Sequence, residues 1–223
     1  MEQTIAVVGG TGNLGAALAR RWAKAGKTVI IGSRTAEKAQ EAAARLSAGL
    51  DTRILSASNL EAARAADIVV ATVPFSSQAA VLEEIRPALA GKILIDTTVP
   101  LMPPKVARVQ LPAEGSAAQR AQQLVGETVR LVSAFHNVAA HKLATDQEVE
   151  CDVLVFGDDK EARAVAVALA DCAGLRGLHA GVLANSAAAE ALTSILIFLN
   201  KTYRVDGAGI RITGRLDRSA AAD

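Results

Sequence analysis

Residues 7–15 read VVGGTGNLG, and four of the seven positions from Gly9 to Gly15 are glycine. Glycine loses more backbone freedom on folding than any other residue, so this density marks a tight turn or a close approach. The segment TIAVV holds a continuous apolar run, IAVV, and reads as a buried strand. NLGAALARRWAKAG, stopped by Gly26, reads as a helix. Gly10, Gly12 and Gly15 therefore spell G-x-G-x-x-G between a strand and a helix, the setting that gives the motif its meaning. Gly10 permits the turn, Gly12 lets backbone approach a ligand, and Gly15 lets the helix lie close to the sheet. Free N–H groups and the helix dipole then face an anion, here a dinucleotide pyrophosphate.

The next strand, KTVIIGSR, ends in Gly32, Ser33 and Arg34. An NAD site places an Asp or Glu there to hold the ribose hydroxyls. No carboxylate is present. Arg34 offers a fixed cation with several donors, Ser33 a hydroxyl, and Lys38 lies one helical turn on, facing the same way. The pattern suits a 2′-phosphate, so the expected cofactor is NADP.

Strand and helix keep alternating beyond this unit. TAEKAQEAAARLSAG is a helix with Thr35 at its N-cap and Lys38 and Glu41 facing outward, and TRILSA is a weaker strand. NLEAARAA is a short helix capped by Asn59, and DIVVATVP is an apolar strand that Pro74 ends. SSQAAVLEEIRPALAG is a helix that Pro87 kinks or shortens, and KILIDTTVP is a further strand. Continuous apolar strands alternating with helices imply a parallel sheet covered on both faces. Pro100 to Gly115 holds four of the six prolines and reads as a long irregular connection, a length often tied to function. After it come helix SAAQRAQQLVG, strands RLVSAF and CDVLVFG, helix DKEARAVAVALADCAG and the extended stretch LRGLHAG. A long helix, NSAAAEALTSILIFLNKTY, leads to a final strand, AGIRITG. The expected architecture is α/β: a Rossmann-like, doubly wound parallel sheet in residues 1–134 and a smaller C-terminal α/β lobe in 135–214. Residues 215–223 form a tail expected to be disordered.

The chain has 223 residues, 51% of them apolar, with 24 basic and 23 acidic side chains for a net charge of +1. This suffices for a substantial core. No polybasic or aromatic-studded run favours nucleic acid. Cys151 and Cys172 suit reduced core thiols rather than a disulfide framework. The N-terminus enters an apolar strand with no basic segment before it. ILIFL falls short of the roughly 20 residues of a membrane span. A soluble, cytoplasmic protein is expected, with no membrane partner.

Acid–base machinery is sparse. Tyr203 is the only tyrosine, and Gly207 stands where a short-chain reductase would carry lysine. The chain is too short for the helical second domain of β-hydroxyacid dehydrogenases. His136 and His141 have no neighbouring Asp, Glu or Cys to complete a metal set, and no G-x-S-x-G elbow occurs. Hydride transfer between two preorganised redox rings fits best, with no obligatory catalytic side chain and no metal.

VVGGTGNLG, IIGSR, TVP, SAFHNVAA, VFGDDKEA, GLRGLHAGVLANS and EALTSILIFLN together resemble the F420-dependent NADP oxidoreductases, over about Thr4 to Gly214. That family moves a hydride between NADPH and the deazaflavin F420. The same domain occurs in the cytosolic part of six-transmembrane ferric reductases, where NADPH reduces a flavin. The resemblance implies that Thr11, Gly12, Asn13 and Leu14 wrap the pyrophosphate, between Gly10 and Gly15, and that Ser33, Arg34 and Lys38 hold the 2′-phosphate. Thr72, Val73, Pro74, Phe75, Ala79 and Ala140 would face NADP. His136, Asn137, Val138, Thr193 and the segment at Ala208 and Gly209 would face F420. His136 would bond or steer the deazaflavin, or else sit at a strand end bonded to a backbone carbonyl. His179, where the family does not require histidine, is expected to be structural, and His141 to lie on the surface or a helix face. The apolar helix LTSILIFL is expected to be buried, either as core under the final strand or in a homodimer interface. Ala139 and Val182 stand where the family segment has proline, and TTVPLMPPK has no close counterpart there. Two other functions suit the glycine loop. One is an NADPH-dependent reductase of flavins or ferric chelates; the other is a non-catalytic NADP-binding redox sensor.

Overall fold

Strands β1 (Ile5–Val8), β2 (Val29–Ser33), β3 (Leu55–Ser58), β4 (Ile68–Ala71), β5 (Ile93–Asp96) and β6 (Arg130–Ser133) pair in parallel in the order β3-β2-β1-β4-β5-β6. These come from a computed structural model that describes residues 3–217. The order reverses between β1 and β4. A doubly wound sheet opens a ligand crevice at that point, outside the carboxyl ends of its strands. The sheet continues into β7 (Asp152–Gly157), which runs antiparallel to β6 through Val132↔Gly157 and Ser133↔Phe156. β8 (Arg176–His179) then pairs in parallel with β7. Around it lie helices α1 (Asn13–Lys24), α2 (Ala36–Ser47), α3 (Asn59–Ala65), α4 (Phe75–Ile85), α5 (Ala117–Val125), α6 (Ala140–Leu143), α7 (Lys160–Cys172) and α8 (Ser186–Tyr203). The expected Rossmann-like α/β architecture is the one observed.

All four residues of β1 are buried because both faces of the sheet are covered. Alternation splits them. Ile5 and Val7 join one core with Leu18 and Trp22 of α1 and Leu169 of α7. Ala6 and Val8 join another with Leu82 and Ile85 of α4. Trp22 is fully buried, donates its indole N–H to the Leu169 carbonyl at 2.8 Å, and meets the Phe135 ring edge-on at 6.0 Å. Its burial contributes about 3 kcal/mol.

Four expectations are corrected. Residues 208–214 do not form a strand. The segment gives one carbonyl, Ile210, to the N–H of Asp152, and then side chains replace the ladder. The Asp152 carboxylate accepts the Ile212 N–H at 2.6 Å, and Arg176 donates to the Ile212 carbonyl at 3.0 Å. Asn59 does not cap α3. Ser58 does, in a capping box with Glu61. α8 is not buried all round: Ile195, Phe198 and Tyr203 are exposed on it. ILIFL also belongs to a longer apolar stretch. Leu183–Tyr203 is, by length and composition, long and apolar enough to cross a membrane, with a third of its most apolar window buried. Alanines extend the run beyond the bulky residues that first draw attention. Pro87 shortens α4, which gives way to a 3-10 turn at Arg86–Ala88. Residues 215–217 are exposed without regular structure, and the rest of the expected tail, 218–223, lies outside the described residues.

Candidate active site

The glycine loop joins β1 to α1 at the switch point. Gly9 carries the left-handed backbone of the turn (φ 73°), and a Cβ there would lie 2.6 Å from Val73 Cγ1. The turn therefore depends on Gly9, which stands outside the G-x-G-x-x-G spacing. Gly15 brings α1 against β4, where a Cβ would collide with the Thr72 hydroxyl. Gly12 differs: a Cβ there would meet only ordinary contacts, the Gly9 carbonyl oxygen at 3.5 Å and the Thr72 carbonyl oxygen at 4.0 Å, and the residue is exposed at the cleft. Gly12 is also the N-cap of α1. No side chain caps the helix and no acidic residue lies in its first turn. Its first N–H groups keep their capacity for an anion.

A cleft of about 470 Å³ opens over this end of the sheet. Thr11, Gly12, Ser33, Arg34, Lys38, Thr72, Val73 and Pro74 line it. So do Gly9, Thr35, Asn59, Ser77 and Val81, which sequence reasoning missed as site residues. Arg34 and Lys38 are exposed and make no ion pair with the described residues. Asn59 is buried, accepts the Gly9 N–H at 3.5 Å and donates to Glu84 at 3.2 Å, so it braces the loop from below. Gly10, Asn13, Leu14 and Gly15 form the loop and helix start beside the cleft. Phe75, Ala79 and Ala140 do not line it. The Phe75 ring packs instead under the Arg120 guanidinium at 4.8 Å.

A second constellation follows β6. Phe135 is a non-glycine residue with φ 65°, a backbone outlier for so bulky a side chain, held in place by Trp22. It turns the chain so that His136 and Asn137 leave the sheet, both buried. Asn137 donates to the Ala189 carbonyl at 2.9 Å and to the Thr193 hydroxyl at 3.0 Å, and Thr193 donates to the His136 carbonyl at 3.0 Å. Gly209 packs close to the Asn137 carbonyl and the Cys151 sulfur, and the Ala208 N–H is held by Asn200. His136, Asn137, Thr193 and the 208–209 segment thus meet in one place; Val138 is half-buried beside them. His136 tilts against Phe156, and its buried Nε2 has no hydrogen-bond partner. Burial pushes its pKa down to about 4, so the ring is neutral at pH 7.

Two buried carboxylates brace the same region. Glu190 of α8 accepts the N–H groups of Ala117 at 2.7 Å and Ala118 at 3.1 Å, clamping α8 to the start of α5. Asp96, at the end of β5, accepts from Gln78 at 2.7 Å and from the Thr98 hydroxyl at 2.6 Å. Burial pushes Glu190 up to about 8 and Asp96 up to about 6. Glu190 precedes Thr193 by one helical turn, so this clamp also sets where Thr193 meets Asn137. The signal was the single carboxylate of a helix that is largely apolar up to Leu199, since a carboxylate buried there requires donors.

Residues 4–100 match the family described as NADP oxidoreductase, coenzyme F420-dependent. The chain is 43% identical over 222 residues to an F420-dependent NADP reductase of Methanothermobacter thermautotrophicus, covering 96% of both chains. The chain belongs to the F420-dependent NADP reductase family. Another member, from Methanocaldococcus jannaschii, is 39% identical over 94% of this chain and 97% of its own. A crystal structure titled as a putative F420-dependent NADP reductase from an Arthrobacter species superposes with a TM-score of 0.77 at 28% identity. It covers 95% of this chain and all of its own. The protein is accordingly an oxidoreductase, and the glycine loop sits inside the segment that matches the family.

Proposed function

We propose that the cleft at the β1/β4 switch point binds NADP and that F420 meets it from the side of His136, Asn137, Val138, Thr193 and Ala208. The observation that carries this reading is an uncapped helix start with the exposed Gly12 at its N-cap, beside two exposed cations that make no ion pair with the described residues. That donor set fits a pyrophosphate and a 2′-phosphate. Thr11, Gly12, Asn13 and Leu14 present N–H groups to the pyrophosphate, while Ser33, Arg34 and Lys38 take the 2′-phosphate. Thr72, Val73, Pro74 and Phe75, with Ala79 and Ala140 further out, shape the nicotinamide end. Residues 135–214 act as the smaller lobe that closes the F420 side against residues 1–134.

With both substrates bound, a hydride passes directly between nicotinamide C4 and deazaflavin C5, and a proton is exchanged with water. The chain's own residues bind, orient and exclude water. Neutral His136 offers its ring to the deazaflavin without adding charge, and Asn137 is fixed by two acceptors before any substrate arrives. No side chain serves as an obligatory acid or base. The protein is a cytoplasmic homodimer whose subunits meet through the exposed apolar face of α8, at Ile195 and Phe198.

The test is turnover with NADPH and, in parallel, F420, FMN and FAD. Loss of the deazaflavin absorbance with F420 alone is expected. Turnover with FMN or FAD but not F420 would establish a flavin reductase, and NADPH binding without turnover would establish a redox sensor.

A further inference from the structure

The Pro100–Gly115 connection has no part in the site described above. Its stretch from Pro104 to Arg108 lies against the C-terminal half of α8 and bounds a groove of about 450 Å³ with Ile197 in its wall. Among the described residues, three cations line the groove, Lys105, Arg108 and Lys201, and no carboxylate does. All three are exposed, and none makes an ion pair with the described residues. The net charge of the chain is only +1, so this concentration is local. Like charges gathered without counter-ions repel one another, and a bridging polyanion turns that cost into attraction.

The groove is tied to the deazaflavin side of the candidate site. The Ser194 hydroxyl donates to the Arg108 carbonyl at 3.3 Å, and its neighbour Thr193 holds Asn137 and the His136 carbonyl. Thr193, Ile197 and Lys201 follow one another at four-residue spacing, so they run along one side of α8. Lys201 lies about 12 Å beyond Thr193 along the helix axis.

We propose that this groove is a subsite for an anionic chain attached to the second substrate. In F420 that chain is the phosphodiester and carboxylate tail that the ribityl group carries away from the ring. The inference rests on the F420 reading above. The ring would sit near Thr193 and the tail would follow α8 toward Lys201. Arg108 supplies planar paired donors, and Lys105 and Lys201 supply point charges.

The test compares F420 with the same deazaflavin ending at its ribityl chain, each with NADPH. The proteins are the full-length wild type and the variant Lys105→Ser, Arg108→Ser, Lys201→Ser. Three exposed charge contacts together amount to about tenfold in affinity. The wild type is expected to show a KM about tenfold lower for F420 than for the tail-less compound, a preference that shrinks as salt rises. The variant is expected to lose that preference while its KM for NADPH and for the tail-less compound stays within about twofold, the scatter of substitutions outside a binding contact. Equal wild-type KM values for the two deazaflavins, or an unchanged F420 KM in the variant, would overturn the subsite alone. No reduction of either deazaflavin would overturn the F420 reading and the subsite with it.

Discussion

Arg34 carries the choice between nucleotides at the residue scale. It stands at the end of β2, where an NAD site would place a carboxylate, and it lines the cleft with Ser33 and Lys38. Charge-assisted hydrogen bonds of this kind contribute about 1.5–3 kcal/mol. Arg34→Ala should therefore raise the KM for NADPH by about tenfold to a hundredfold and leave that for NADH nearly unchanged; equal losses for both would remove the 2′-phosphate assignment. Arg34 was legible because its neighbours in sequence define the strand end. Asn59 and Ser77 were not. Asn59 reaches Gly9 across 50 residues of sequence, and its residue type reads locally as a helix cap. Gly9 was hidden by the motif itself, since G-x-G-x-x-G starts one residue later.

Glu190 shows how one side chain couples helices at the scale of the element. Burial raises Glu190 to about 8 and Asp96 to about 6, so both hold protons that the unfolded chain releases. Their contribution to stability is complete below the ordinary carboxylate range and is lost as pH rises through 6 and then 8. His136, pushed down to about 4, acts in the opposite sense, and its contribution is lost as pH falls from 6.5 through 4. Above pH 6.5 the carboxylates alone remain, so Tm should fall between pH 6.5 and about 8.5. Glu190→Gln cannot ionise and should flatten that fall, which thermal unfolding at several pH values would read; an unchanged slope would contradict the clamp. Most elements were legible from apolar runs and their Gly and Pro stops. AGIRITG was not, because its alternation resembles a strand while Asp152 and Arg176 take the backbone groups of Ile212 that a neighbouring strand would have used. α8 misled for a different reason. Its apolar residues surround the helix, and only the fold shows which of them face outward.

The sheet order carries the argument for the whole molecule. The reversal between β1 and β4 sets the glycine loop at a crevice, and alternating strands and helices in the sequence made that topology legible. The meeting of His136, Asn137 and Thr193 was foreseen only through the family resemblance, since it joins residues 56 or 57 apart in the chain. The exposed face of α8 supports the proposed homodimer. Phe198→Asp should convert the dimer to a monomer in light scattering, and a wild-type monomer would contradict it. The central claim is direct transfer between two rings held at the carboxyl edge of this sheet. NADPH labelled with deuterium at either nicotinamide C4 position would be turned over with F420 in ordinary water, and the product read at C5 by NMR. The account predicts complete retention of deuterium at C5 from one of the two labelled forms; label lost to water from both would contradict it.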